Sequence, residues 1–264
     1  MEQFTQFFQS KTGAVMVFFA ALFVLERVFP AARPRFGAMV GRVAQPLMRV
    51  AKNLGFAGIN AVISPLVVIP ISAVAAQWSL GWRPEWFSGT GGLAFDLLLL
   101  DLWIYWWHRA NHRVPFLWRF HEVHHLDQFL DVTSAVRFHL GEVLLSAVAR
   151  AAVIFVFAIP LASVVAFETL LLLATMFHHS NLRLPAGFES LLSLIIVTPS
   201  IHWVHHHALR SDTDSNYSTI LSIWDRLFAS RSATRRTPYL EIGVEREHDR
   251  AFLSLIVRPF RERT

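Results

Sequence analysis

The side chains able to do chemistry in this chain are histidines, and they are grouped by spacing. His108 and His112 close the stretch Asp101-Leu-Trp-Ile-Tyr-Trp-Trp-His108-Arg-Ala-Asn-His112, His121-Glu-Val-His124-His125 follows, and His202-Trp-Val-His205-His206 repeats that H-x-x-H-H spelling. Twelve of the thirteen histidines fall between residues 108 and 207. Residues four apart on a helix project from one face about a turn apart, so His108 and His112 can share a metal. Neutral imidazole suits iron, zinc and copper, and eight or more imidazoles gathered at one place exceed what a single ion coordinates. Two metal ions are the economical reading. The chain has no cysteine, which excludes disulfides, thiolate ligands and a cysteine-bound iron–sulfur cluster, so electrons must come from a separate protein.

The elements that position these histidines are apolar. Of 264 residues, 54% are hydrophobic and only 16% charged, with nine Trp and 23 Phe, a balance that points to an all-α integral membrane protein of about four to five transmembrane helices. The net charge of +5 and pI near 10.4 do not imply nucleic acid, because the arginines lie between hydrophobic runs, where they orient a membrane protein. A first span covers residues 12–29, and without a basic start or a small-residue cleavage pattern it reads as a retained anchor. Residues 31–53 carry Arg33, Arg35, Arg42, Arg49 and Lys52 with no acid, and read as a cytoplasmic amphipathic helix on anionic headgroups. Residues 54–82 contain no charge and are kinked by Pro65 and Pro70. Span three, 93–107, then returns to the cytoplasmic side with His108 at its exit.

Residues 108–139 are too polar to cross a bilayer and form the first half of a cytoplasmic, histidine-rich, di-metal helical cap. Residues 143–177 form a hairpin turning near Ile159-Pro160. Arg150 and Glu168 lie nine residues on either side of Ile159, so an antiparallel hairpin sets them at equal depth, where they are expected to pair. The hairpin returns His178 and His179 to the histidine face. Residues 191–197 are too short to span and read as interfacial, and 239–244 read as a strand or extended segment. The organisation expected is an anchor with a basic segment (1–92), a catalytic body (93–230) and a soluble tail (231–264). The Trp103, Tyr105, Trp106 and Trp107 cluster reads as an interfacial belt, and secondarily as a tunnel lining.

Together these motifs resemble the fatty acid hydroxylase / sterol desaturase superfamily of membrane di-iron enzymes. Asp101, Tyr105, His108, Arg109 and His112 fit its D-x3-Y-x2-H-R-x2-H element, and Thr198-Pro-Ser-Ile-His202-Trp-Val-His205-His206 fits a later box. Asp214-Ser-Asn216-Tyr217 and Trp224-Asp225-Arg226-Leu227-Phe228 follow as in alkylglycerol-monooxygenase-like and bacterial sterol-desaturase-like members. Leu140, Ser218, Ala229 and Ser230 depart from the usual Pro, Gly, Gly and Thr. The resemblance implies nine metal ligands: His108, His112, His121, His124, His125, His179, His202, His205 and His206. His179 is preferred to His178, a neighbour or headgroup-level residue, because His179-Ser-Asn matches the family's H-[ST]-x element. His139 fits either a hydrogen bond to a ligand, a tenth ligand or a structural bond. Asp214 and Asp225 are expected to orient ligand imidazoles; Asp101 and Asp127 are further candidates.

The resemblance further implies two Fe ions, O2 as co-substrate, and an external electron donor of the cytochrome b5, ferredoxin or reductase kind. The substrate would be a lipid (sterol, fatty acyl, alkyl ether or isoprenoid) that is hydroxylated or desaturated at an unactivated C–H bond. The site would face the cytoplasm, in the inner membrane if the source is bacterial. Two other readings of the histidines are a metal transporter, which would want ligands near the bilayer midplane, and a zinc-dependent hydrolase, which needs only three ligands and an open position.

Overall fold

A computed structural model describes residues 2–33, 44–84 and 87–261. The described residues are helical and contain no strand, only isolated bridges. In chain order the helices are α1 (Glu2–Val28), α2 (Ala44–Ile63), α3 (Ile69–Gln77), α4 (Gly89–Arg113), α5 (Pro115–His125), α6 (Leu140–Phe157), α7 (Leu161–His179), α8 (Ala186–Leu192), α9 (Pro199–His205), α10 (Arg210–Thr213), α11 (Ile223–Leu227) and α12 (Phe252–Val257). Of the predicted basic interfacial segment, residues 34–43 lie outside the described residues; its C-terminal part, with Arg49 and Lys52, belongs to α2.

Among the described residues, three helical stretches are long and apolar enough to cross a membrane: Pro46–Gln77, Leu140–Phe157 and Leu161–His179. The first is α2 and α3 joined through a π-helical turn, Ser64–Val68, with Pro65 and Pro70 at its two ends. Proline deprives the helix of a bond at each of these points, and the wider turn absorbs the mismatch. Their surfaces invert the pattern of a soluble protein. Leu66, Val74, Val148, Val156 and Leu170 are exposed, whereas Glu26, Arg49, Asn53, Asp96 and Asp101 are buried. Apolar side chains outside and satisfied polar groups inside are what a hydrocarbon solvent demands, so this is an integral membrane protein.

The expected hairpin forms between α6 and α7. It turns at Ala158, whose φ of 50° ends α6, and at Pro160, which starts α7. Arg150 Nη2 lies 2.7 Å from Glu168 Oε1, the pairing that the equal spacing about Ile159 anticipates. Around it Leu100, Ile154, Val164 and Phe167 form an apolar core between α4, α6 and α7.

A second, polar core sits beyond the helix ends. Arg49 and Asn53 of α2 bind Asp127 at 2.9 Å each, and Arg49 also bonds Asp131, which caps the short helix Val132–Val136. Burial opposes the Asp127 charge, but Arg49 and Arg137 beside it hold its carboxyl below the usual range. Residues 249–258 make contacts with the helical body. Phe252 packs edge-on against Phe56 at 4.9 Å, Leu255 is fully buried, and Arg258 and Asp249 pair with Glu122 and Arg137. The segment predicted as extended pairs with the second histidine box through a single bridge, His207 to Ile242.

Candidate metal centre

All nine histidines singled out by spacing and resemblance converge. Their ring nitrogens form two adjoining groups: His108, His112, His121, His125 and His205, and then His124, His179, His202 and His206. Helix geometry explains the division. Residues four apart share a face, so His108/His112 and His121/His125 stay together in the group of five and His202/His206 in the group of four. The middle histidine of each box is turned away from its neighbours on the helix. His124 therefore joins the group of four and His205 the group of five. Each box thus contributes to both groups, and the His125 and His206 rings stack at 4.2 Å across the junction.

Backbone carbonyls and one carboxylate fix the ring orientations. Nδ1 of His108 faces the Tyr217 carbonyl at 2.8 Å, His124 that of Arg137 at 3.1 Å, His179 that of Thr175 at 2.8 Å and His205 that of Ser215 at 2.6 Å. His121 Nδ1 donates to Glu142 Oε1 at 2.7 Å. A carbonyl only accepts, so each of these nitrogens carries the proton and each Nε2 presents a lone pair. Burial, then the neighbouring imidazoles, push His124, His125, His202, His205 and His206 well below the ordinary histidine value, which keeps them neutral.

Lone pairs then face one another. His124 Nε2 and His179 Nε2 are 3.0 Å apart, and so are His179 Nε2 and His202 Nε2. His205 Nε2 and both ring nitrogens of His112 are buried without a hydrogen-bond partner among the described residues. Two nitrogens about 2.1 Å from one ion and at right angles to each other stand ~3.0 Å apart, so the donor set fits a bound cation in each group.

The remaining predicted residues take other places. Asp225 accepts from the Tyr217 and Ser218 N–H groups at 2.7 and 3.0 Å, fixing the peptide whose carbonyl orients His108. Asp214 Oδ1 is 3.6 Å from His112 Nδ1, while its other oxygen accepts from Arg210 at 2.9 Å. Asp101 takes Trp224 Nε1 at 2.8 Å and the Leu221 N–H at 3.1 Å, anchoring the segment before α11 rather than touching His108. Asp127 bonds Arg49, Asn53 and Ser134 and makes no hydrogen bond to an imidazole among the described residues.

His139 stands outside both groups. Its Nδ1 accepts the Gly141 N–H at 3.0 Å as the cap of α6 and its Nε2 donates to the Ile256 carbonyl at 2.9 Å, so both nitrogens are committed to structure. His178 belongs to neither group but is their neighbour: it is buried, with its ring 4.0 Å from that of His202. Tyr105 is buried and bonds Ser230 at 2.8 Å, so it is no part of an interfacial belt, whereas Trp106 is exposed and Trp107 lines a cavity. Glu142 was missed. Its only signal is its place three residues after His139 at the start of an apolar run.

A cavity of about 440 Å3 runs from the histidines into the helix bundle. His108, His121, His124, His179 and His202 line one part of it, and Val68, Ile104, Leu171 and Leu172 line its apolar walls.

Comparison with known proteins matches residues 93–230 to the fatty acid hydroxylase family. The chain is 25% identical over 196 residues to ornithine lipid hydroxylase OlsE of Rhizobium tropici, covering 74% of this chain and 58% of that one. It is 35% identical over 157 residues to alkylglycerol monooxygenase of Danio rerio and 31% identical over 162 residues to the Homo sapiens enzyme. These alignments cover 57% and 59% of this chain and 32% of each relative. The chain thus spans between a third and three fifths of the length of these relatives. No solved structure matches.

Proposed function

The chain belongs to the fatty acid hydroxylase family, and from that premise we propose that it is a di-iron, O2-dependent enzyme that hydroxylates an unactivated C–H bond of a membrane lipid. The observation that carries this reading is the pair of histidine groups, bare Nε2 atoms turned inward, at the end of an apolar cavity within the membrane helices. Hydroxylation is favoured over desaturation because the relatives named above are a lipid hydroxylase and monooxygenases. Two bound irons would supply the reductive activation of dioxygen that such a bond requires.

The nine histidines would hold those ions, five around one and four around the other. Glu142 and the carbonyls of Tyr217, Arg137, Thr175 and Ser215 keep the Nδ1 protons in place, so each Nε2 remains available. The apolar walls exclude water and align an alkyl chain, so that one carbon faces the centre. Asp225 and Asp214 act through the rings they orient or approach. His139 holds α6 to the C-terminal segment. Electrons would come from a cytochrome b5-, ferredoxin- or reductase-like partner, since the chain has no cysteine for a cluster of its own.

In this reading α1 and α4 join the three apolar stretches as membrane helices, giving five spans. Residues 1–92 serve as anchor, 93–230 as catalytic body, and 231–264 as a soluble tail whose residues 249–258 contact that body. The basic charges of 31–53 set the histidine face on the cytoplasmic side, which in a bacterium is the inner face of the inner membrane. A transporter would place its ligands near mid-membrane, whereas these stand at helix ends. A hydrolytic zinc site would have no use for nine imidazoles.

The test is metal content of the full chain purified from iron-supplemented cells, with His112→Ala and His205→Ala beside it. About two irons per chain, with each variant losing the ion of the five-histidine group, followed by oxygenated products from a lipid extract, is the expected result. A single tightly held zinc and no oxygen-dependent product would overturn the proposal.

A further inference from the structure

We propose that Arg150 and Glu168 form a polar subsite in the cavity that receives a neutral oxygen of the lipid substrate. The inference deepens the hydroxylase reading and rests on it. Both residues line the cavity that reaches the histidines. Eleven residues of α7 separate Glu168 from His179, about 16 Å of helix, and Arg150 is ten residues into α6. The pair therefore sits deep in the bundle, well away from the histidine end.

Charges at that depth are costly and mark functional positions when they face a cavity. Here the Arg150 side chain is 6% exposed and that of Glu168 36%, the Arg150 Nη2 meets Glu168 at 2.7 Å, and its Nε is buried with no hydrogen-bond partner among the described residues. A guanidinium N–H in apolar surroundings is completed by an acceptor oxygen. Glu168 beside it repels a carboxylate or phosphate, which leaves a neutral ester, amide or hydroxyl oxygen. Farther along the lining, Asn60 Nδ2 bonds the Phe138 carbonyl at 2.8 Å and its Oδ1 is buried without a partner. The cavity is thus not shaped for a plain hydrocarbon. A chain of single bonds advances ~1.2 Å per bond, so the preferred lipid carries its oxygen roughly a dozen bonds from the carbon to be oxidised.

The experiment compares methyl palmitate with heptadecane, which is similar in length and lacks the ester. Binding to the iron-loaded full chain in nanodiscs is followed by tryptophan fluorescence, with Trp103 beside Arg150 at 5.7 Å as reporter. The wild type is expected to prefer the ester about tenfold, the contribution of one hydrogen bond to a charged group. Arg150→Lys retains a cation for Glu168 but has no Nε, and it and the double variant Arg150→Met/Glu168→Leu should bring the two lipids within about twofold. Equal binding by the wild type, or an ester preference that survives in Arg150→Lys, would overturn the subsite. If the double variant does not fold, the lysine variant decides. Because binding is read without turnover, absence of product would count against the hydroxylase reading alone, whereas loss of preference with turnover intact would count against the subsite alone.

Discussion

Replacing Glu142 by Gln should loosen one metal and spare the other. Glu142 Oε1 accepts the Nδ1 proton of His121 at 2.7 Å, both side chains are nearly fully buried, and His121 Nε2 lies 3.2 Å from His125 Nε2 within the group of five. Glutamine keeps the volume but removes the charge, and its amide can donate as well as accept. It therefore permits the tautomer in which His121 Nε2 carries the proton and cannot bind a metal. Loss of a carboxylate that orients a ligand histidine typically lowers metal affinity 10–100-fold, or about 1.4–2.7 kcal/mol. Among the described residues no carboxylate bonds a ring in the group of four, where the Arg137 and Thr175 carbonyls hold His124 and His179. A chelator titration of the iron-loaded chain, read by metal analysis, should show two steps in Glu142→Gln, the weaker shifted by that factor and the stronger nearly unmoved. Release of both ions together, or a titration identical to wild type, would refute the assignment of Glu142 to one group and the division into two groups with it.

His139→Ala should leave metal content unchanged and cost about 1 kcal/mol through the lost cap of α6, seen as a lower Tm; loss of iron would place His139 among the ligands after all. Ala229 is held at φ 50°, a left-handed conformation costing an alanine roughly 1–2 kcal/mol, part of which glycine gives back as chain entropy. Ala229→Gly should therefore raise Tm by a few degrees, and a fall would show that the strain is absent. For the metal-free chain, His124, His125, His202, His205 and His206 have folded values far below their unfolded value near 6.5. The unfolded chain then binds more protons than the folded one at every pH below about 6.5. Stability should be intact above that pH and fall as the solution is acidified, each group removing up to ~1.4 kcal/mol per pH unit. A Tm flat from pH 7.5 to 5 would contradict the burial of these rings, and bound metal should protect against the decline.

The centre was legible from sequence to the extent that it is written in side-chain types at helical spacing. H-x3-H and H-x-x-H-H are statements about one helix face, and each closes an apolar helix or follows one directly, so convergence at one end of the bundle follows from topology. The hairpin pair Arg150 and Glu168 was legible for the same reason: equal counts about a turn fix equal depth. What spacing does not encode is which partner the second ring nitrogen finds. Four of the five partners seen here, at Tyr217, Arg137, Thr175 and Ser215, are backbone carbonyls, which every residue type supplies. The docking of the C-terminal segment was hidden differently. Its contacts with the body are Phe252, the buried Leu255 and the ion pairs of Asp249 with Arg137 and Lys52 and of Arg258 with Glu122, scattered among enough charge to read as solvent-exposed chain.

The exchange of the middle histidines gives the two H-x-x-H-H boxes a reason to be spelled alike. A single helix can offer one metal two histidines four residues apart, and its third, one residue from the second, points about 100° away. Two such helices facing each other across a pair of ions therefore each give two rings to one ion and one to the other, as α5 and the α9 end do here with His124 and His205 crossing over. Neither group can then form without both helices. Metal binding becomes a clamp between residues 121–125 and 202–206, which the α6–α7 hairpin otherwise separates in the chain. Removing a crossing histidine such as His205 should consequently weaken the joint between α5 and α9 as well as the site itself. Iron should raise Tm in the wild type by more than in His205→Ala, beyond what the loss of one ligand of the five in its group would give in a preformed site; equal metal-induced shifts in the two proteins would mean that the helices are docked independently of the ions.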